Sequence, residues 1–314
     1  MLEVVIGRAG RQRQAHILDA SRLQPPYDGW SLARRFWVFQ SERAPLLVLA
    51  LTTVTLTAAV SRLHGNLNWR TAAVASALVI LYLLQIRLAD EPKDFEHDNI
   101  HYPDRPVQRG LITLAELNTL KYVVVALFLG LAATTASWST MLWAAVQQGY
   151  SYLTWREFFI RDWLRRHFLS YQLLHYVQLF ILGWLVLGVL QIAPAVERAL
   201  FFVYVMLMIG MIESSRTIGG RDQQAADDRY SHRLGVELAV AVFGAFVVAT
   251  ASVSVLLLLR QGQSVLWPIL VSGLLVVVGA AYRYCRQPVT RRAEALQGAA
   301  LLMYLCAAAT LIVS

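Results

Sequence analysis

Six carboxylates crowd the stretch from Arg87 to Gly110, RLADEPKDFEHDNIHYPDRPVQRG: Asp90, Glu91, Asp94, Glu96, Asp98 and Asp104. They are nearly a third of the chain's 20 acids, and Arg87, Lys93, Arg105 and Arg109 are interleaved with them. They follow an apolar run, Thr71 to Leu84, where carboxylates repel one another and resist desolvation. On a helix Glu91, Asp94 and Asp98 share one face. Carboxylates stacked this way suit Mg²⁺, a hard cation that keeps several waters and shares its shell with phosphate oxygens. A solvated loop accounts for the same charges. Pro92 cannot donate to the carbonyl of Leu88, so the helix is expected to kink or restart there. Downstream, Tyr102 to Gly110 reads as a rigid basic turn able to return Arg105 or Arg109 toward the acids. A guanidinium fork matches phosphate.

A second segment repeats the chemistry. Glu213 ends an apolar run, and Arg216 follows one helical turn later. Arg221, Asp222, Asp227 and Asp228 come next, beyond the pair Gly219-Gly220. Taken alone this reads better as an Asp/Arg surface loop. Paired with the first segment, it could clamp metal ions on a diphosphate.

These segments need elements to hold them. The chain has 314 residues, 57% hydrophobic and only 15% charged, with mean hydropathy +0.49. A soluble chain of this length is nearer a quarter charged. Long apolar runs instead predict an all-α polytopic membrane protein with nine spans, near 44–63, 71–90, 118–137, 139–156, 170–192, 198–215, 235–259, 265–284 and 294–313. Residues 1–43 read as a cytoplasmic lead-in and 44–314 as the membrane domain. Trp30 to Phe39 is basic and aromatic, suited either to the membrane interface or to an ordinary packed helix. No apolar signal region precedes Ala44.

The basic residues orient the bundle. With the N-terminus inside, twenty-four of the 28 lysines and arginines fall on the cytoplasmic side, leaving only Arg62, Arg70, Arg198 and Arg260 outside. This bias explains the pI of about 9.7 without nucleic acid. Both acidic segments then face the cytoplasm. Arg43 and Lys121, at the cytoplasmic ends of spans 1 and 3, read as snorkelling anchors, with a diphosphate contact from Arg43 as the alternative. The two cysteines, Cys285 and Cys306, form no CxxC and read as packing residues. The histidines show no metal-ligand spacing, and His175 reads as a hydrogen-bonding group within the bundle.

Two acidic, arginine-bearing segments in this order resemble the UbiA superfamily of membrane prenyltransferases across essentially all nine spans. The family's NDxxDxxxD motif reads here as Asp90-Glu91-Pro92-Lys93-Asp94-Phe95-Glu96-His97-Asp98. Asp90 stands for the Asn and Glu91 for the first Asp. The RPxxxG turn reads Arg105-Pro106-Val107-Gln108-Arg109-Gly110, and Tyr230 to Gly235 resembles the family's lead into span 7. The second motif departs from the usual Asp spacing.

The resemblance implies a UbiA-like bundle and a Mg²⁺-dependent transfer of a prenyl group from an isoprenyl diphosphate to a lipophilic, aromatic acceptor in a greasy chamber. Membrane lipid would be the surrounding partner, and a bacterial inner membrane fits the compact chain. It assigns metal binding to Asp90, Glu91, Asp94, Asp98, Asp222 and Asp228, with Glu213 assisting. Diphosphate contacts fall to Arg105 and Arg216 first, then Arg109 and Arg221. Family members often carry a basic residue near the end of span 4, so Arg156 is a further candidate. Tyr150, Tyr152 and Trp155 could line the chamber, since aromatic faces stabilise cations, or form an interfacial belt. Glu157–Arg161 and Asp162–Arg166 have the spacing of ordinary i,i+4 pairs. A terpene cyclase of the same superfamily shares the ionisation step and needs no acceptor. A divalent-cation transporter predicts ionisable residues inside several spans, and the spans here are nearly free of charge.

Overall fold

The computed structural model describes residues 23–63, 68–192, 199–222, 230–260, 262 and 264–313. Every element among them is helical. In chain order they are α1 (Leu32–Arg43), α2 (Leu46–Leu63), α3 (Trp69–His101), α4 (Leu114–Thr134), α5 (Trp138–Trp155), α6 (Arg161–Arg166), α7 (Phe168–Val189), α8 (Ala199–Arg216), α9 (Tyr230–Arg233), α10 (Val236–Arg260), α11 (Trp267–Arg286) and α12 (Thr290–Val313).

Among the described residues, nine helices have 18 residues or more and overlie the long apolar stretches of the sequence. Among the described residues, five are long and apolar enough to cross a membrane: α3, α4, α10, α11 and the Thr290–Thr310 part of α12. A sixth is formed if α1 and α2, bent by 60° at their junction, count as one span. α5 falls outside this set because Gln147, Gln148, Ser151 and Thr154 dilute its apolar face. The chain is therefore an integral membrane protein by its helices, with five to six such spans among the described residues.

Side chains start several helices where their free backbone N–H groups need acceptors. Asn68 accepts from the amides of Arg70 and Thr71 at the head of α3. Thr113 and Glu116 form a reciprocal capping box on α4. Ser31 and Ser137 cap α1 and α5.

Sequential helices pack on one another around the molecule, and α12 returns to α2, closing the circuit. One core lies among α8, α10, α11 and α12, built on Tyr204, Met208, Phe243, Tyr284 and Met303. A second joins α3, α4, α5 and α7 through Tyr82, Phe128 and Leu185. A third seats α1: Phe39 is fully buried against Leu84, Leu88, Leu117 and Val124.

Two sequence expectations change here. The helix does not restart at Pro92; α3 runs through it and continues to His101. A proline removes a single backbone hydrogen bond, and the flanking turns keep theirs. Five of the six acids thus lie in the last turns of one 33-residue helix, and Asp104 lies in the turn that follows. Arg43 is no snorkelling anchor. Its side chain is 13% exposed and points into the acids of α3.

Candidate active site

The end of α3 divides its carboxylates into two sets. Glu91 and Asp98 lie two turns apart on one face and are both 1% exposed. Arg43 Nε donates to Glu91 Oε1 at 2.8 Å, and Arg87 Nη2 donates to the same oxygen at 2.6 Å. Asp98 faces the Arg105 guanidinium, with Arg43 Nη2 at 3.5 Å. Buried carboxylates require such partners, because an unpaired charge there is strongly disfavoured. Arg87 and Glu91 meet by i,i+4 spacing. Arg105 arrives through the turn from Tyr102 to Gly110, whose Arg105 amide donates to the Tyr102 carbonyl at 3.1 Å. The Arg105 guanidinium also stacks on the Tyr102 ring, 3.7 Å from its centroid. Gly110 closes the turn at φ +73°, and its carbonyl accepts from the Gln24 amide at 3.1 Å.

Asp90 and Asp94 form the other set. They are half-buried, one helical turn apart, and neither makes a salt bridge among the described residues. Lys93, between them in sequence, turns to Tyr171 Oη at 2.9 Å and Glu157 Oε1 at 3.4 Å. Glu157 in turn holds Arg161 at 2.8 Å. Residues 157–159 carry left-handed backbone, φ 48°, 53° and 60°, which non-glycine residues rarely adopt in succession. That turn presents Glu157 inward, 7% exposed.

The second segment ends near the first. Arg216 stands within electrostatic range of Asp90, and Glu213 within that of His175 of α7. Arg216 Nη1 donates to Glu213 Oε1 at 2.9 Å, and the Arg216 side chain remains 61% exposed. Gly219 is gripped from two directions: its amide donates to Ser231 Oγ at 2.9 Å, and its carbonyl accepts from Tyr284 Oη at 2.7 Å. Arg221 is exposed, and its amide donates to the Pro288 carbonyl at 2.8 Å. Asp222 accepts from the amide and hydroxyl of Thr290, both at 2.7 Å, and so caps α12. The Thr290 hydroxyl beside it holds its carboxyl below the usual carboxylate range. Asp228 lies outside the described residues.

The remaining candidates sit further out. Arg109 forms a two-pronged bond to Glu42 at 2.8 and 2.7 Å, and that pairing raises its already high pKa. Arg156 is exposed, over the rings of Trp155 and Phe159. Tyr150 is half-buried, and its hydroxyl donates to the Leu174 carbonyl at 2.9 Å. Arg166 Nε donates to the carbonyl of Asp162, not its carboxylate. Lys121 lies 4.7 Å from the ring centroids of both Tyr122 and Trp155. His175 Nδ1 is 2.8 Å from the Tyr171 carbonyl.

Among the described residues, no three of His, Cys, Asp and Glu gather to hold a metal ion. Glu91 and Asp98 are engaged by arginines. Asp90 and Asp94 remain, and this donor set fits one Mg²⁺. That ion commonly takes one or two carboxylates, completing its shell with waters and substrate phosphates.

Sequence reasoning missed the roles of Arg43, Lys93 and Tyr171. It also passed over Gln85, Gln147, Gln148 and Gln178. Polar amides inside apolar runs were the available signal, since such groups need a reason at membrane depth.

No family model and no curated protein matches the sequence. The fold matches solved structures. An apo structure of a UbiA homolog from Aeropyrum pernix K1 superposes with TM-score 0.61 at 15% identity, covering 85% of this chain and 97% of that one. A structure of digeranylgeranylglyceryl phosphate synthase superposes with TM-score 0.51 at 14% identity, covering 89% of this chain and 98% of that one. The chain shares the fold of both structures over 85% and 89% of its length.

Proposed function

We propose that this UbiA-type fold is a membrane-embedded prenyltransferase that ionises an isoprenyl diphosphate and passes the prenyl group to a lipophilic, aromatic acceptor. One observation carries this reading. Asp90 and Asp94 make no salt bridge among the described residues, at the end of a closed ring of helices and beside the paired cations Lys93 and Arg43. Two carboxylates left free among cations suit a ligand that brings both metal and phosphate.

Asp90 and Asp94 would hold Mg²⁺, with Asp228 as a candidate from the second segment. Mg²⁺ bound there would neutralise charge on the departing diphosphate. Arg216, the most exposed of the three cations, would exchange its exposed pair with Glu213 for a phosphate. Arg105 and Arg43 keep positive potential beside the acids while staying tied to Asp98 and Glu91. Such fixed charges need little reorganisation as the C–O bond breaks. The apolar helices would exclude water, so the allylic cation meets the acceptor instead of a water molecule. The acceptor then loses a proton.

The site would open toward the cytoplasm of a bacterial inner membrane, following the distribution of basic residues. Purified protein with Mg²⁺ and geranyl, farnesyl or geranylgeranyl diphosphate tests the reading. Diphosphate release coupled to prenylation of an added phenol is the expected result. A cyclic hydrocarbon formed without acceptor would convert the reading to a terpene cyclase, and no diphosphate chemistry would overturn both.

A further inference from the structure

Four arginines crowd the turn between α11 and α12. Arg283 and Arg286 end α11, Arg291 and Arg292 begin α12, and only Gln287, Pro288 and Val289 separate the two helices. The fold adds a fifth. The Arg221 amide donates to the Pro288 carbonyl at 2.8 Å, beside the Asp222 cap of Thr290. Gly220 permits this approach, since a Cβ there would stand 2.1 Å from the Thr290 amide nitrogen. Arg221, Arg283, Arg286 and Arg291 are exposed. Among the described residues none of the five makes a salt bridge. Asp222 is spent on Thr290. Glu237, within electrostatic range of Cys285, and Glu294 are exposed and pair with none of them.

Helix ends explain part of this cluster. Cations suit the C-terminal end of α11, and Arg292 Nη1 donates to the Arg283 carbonyl there at 2.6 Å. The head of α12 favours negative charge, so Arg291 in its first turn opposes the helix dipole. The neighbouring surface is apolar. Of the five apolar spans, α11 buries the smallest share of its length. Leu275, Val278 and Tyr282 are exposed on it, and Arg286 follows at the same three- and four-residue spacing. One face of α11 therefore passes from hydrocarbon to guanidinium. The Arg286 guanidinium lies over the Tyr282 ring, 5.9 Å from its centroid. Tyrosine favours the membrane–water boundary, which sets the arginines at the level of lipid headgroups.

We propose that the turn between α11 and α12 binds the phosphate of an anionic phospholipid, with acyl chains along α11 and Arg286 and Arg291 as principal contacts. Guanidinium forks match phosphate, and clusters of four or more basic residues beside a span attract anionic lipid. An acidic soluble partner would engage the arginines and leave the apolar face of α11 unused. The site contains none of the acids of α3, so lipid binding here needs no prenyl chemistry.

Phosphatidylglycerol and phosphatidylcholine with identical acyl chains serve as probes. Each is titrated into the full-length protein in neutral detergent, and bound lipid is counted by native mass spectrometry. Wild type is expected to bind phosphatidylglycerol in preference. Arg286→Gln/Arg291→Gln should weaken that binding by about fivefold for each arginine removed, with phosphatidylcholine unaffected. Arg286→Gln alone should show about a fivefold loss, which keeps the test open if the double variant misfolds. Equal affinity of wild type for both lipids would overturn the proposal. So would an unchanged preference in the folded variants, which would place the lipid elsewhere on the bundle. Inorganic phosphate that displaces the lipid and binds with the same arginine dependence would also overturn it, in favour of a soluble phosphate ligand.

Discussion

Arg43 and Glu91 are joined at 2.8 Å, Nε to Oε1, although 48 residues separate them. The contact ties the junction of α1 and α2 to the acidic end of α3. Arg87 completes the clamp from one turn below, and the Glu91 side chain has no exposure. Glu91 therefore reads as the anchor of an arginine cluster, and Asp90 beside it as the group left for substrate.

Glu91→Ala should destabilise the protein by about 3–5 kcal/mol, because Arg43 and Arg87 would lose their shared carboxylate in a buried site. Thermal unfolding in detergent checks this. A melting temperature equal to wild type would show the clamp to be dispensable.

Asp94→Asn keeps the shape of the side chain and removes its charge. Diphosphate release should fall by about 100-fold or more, the scale seen when one stabilising group is removed from a charge-developing site. The melting temperature should hold, since Asp94 has no salt bridge among the described residues to lose. Chelating Mg²⁺ from wild type should produce the same loss.

Arg105 and Arg109 stand four residues apart in one turn and should behave differently. Arg105 faces Asp98 inside the cluster, and Arg109 is paired with Glu42 at a partly exposed edge. Arg105→Ala should raise the KM for prenyl diphosphate by about tenfold. Arg109→Ala should leave KM alone and cost under about 1 kcal/mol, the worth of an exposed pair. Equal kinetic effects of the two substitutions would contradict the geometry.

Asp222 supplies a pH signature. Its folded-state pKa lies below the ordinary 3.8 because Thr290 donates to it. A depressed carboxylate stabilises the fold above its unfolded pKa and loses that contribution as pH falls through the folded value. The stability gap between wild type and Asp222→Ala should therefore be flat from about pH 5 to 8 and close below about pH 4. A gap that widens with acid would mean that Asp222 is not the cap of α12.

Much of the architecture was legible without coordinates. Hydropathy located nine long helices, since a run such as Val236 to Leu259 cannot be anything but buried or lipid-facing. Spacing brought out the carboxylates of α3 and the local pair Glu157–Arg161, because i,i+4 neighbours meet on any helix. The continuity of α3 through Pro92 was not legible, since the penalty for one missing hydrogen bond is weighed against packing that only the bundle supplies.

The sequence by itself determined that this is a helical membrane protein with its acids gathered at the ends of two helices, because burial in lipid and helical periodicity act locally. Only the tertiary structure decided which acids those arginines consume. Arg43 to Glu91 and Arg35 to Glu116 are contacts 48 and 81 residues apart. They form because α12 returns to α2 and closes the ring, fixing how far each helix is rotated about its axis. That rotation puts Glu91 and Asp98 among the arginines and leaves Asp90 and Asp94 without a salt bridge among the described residues.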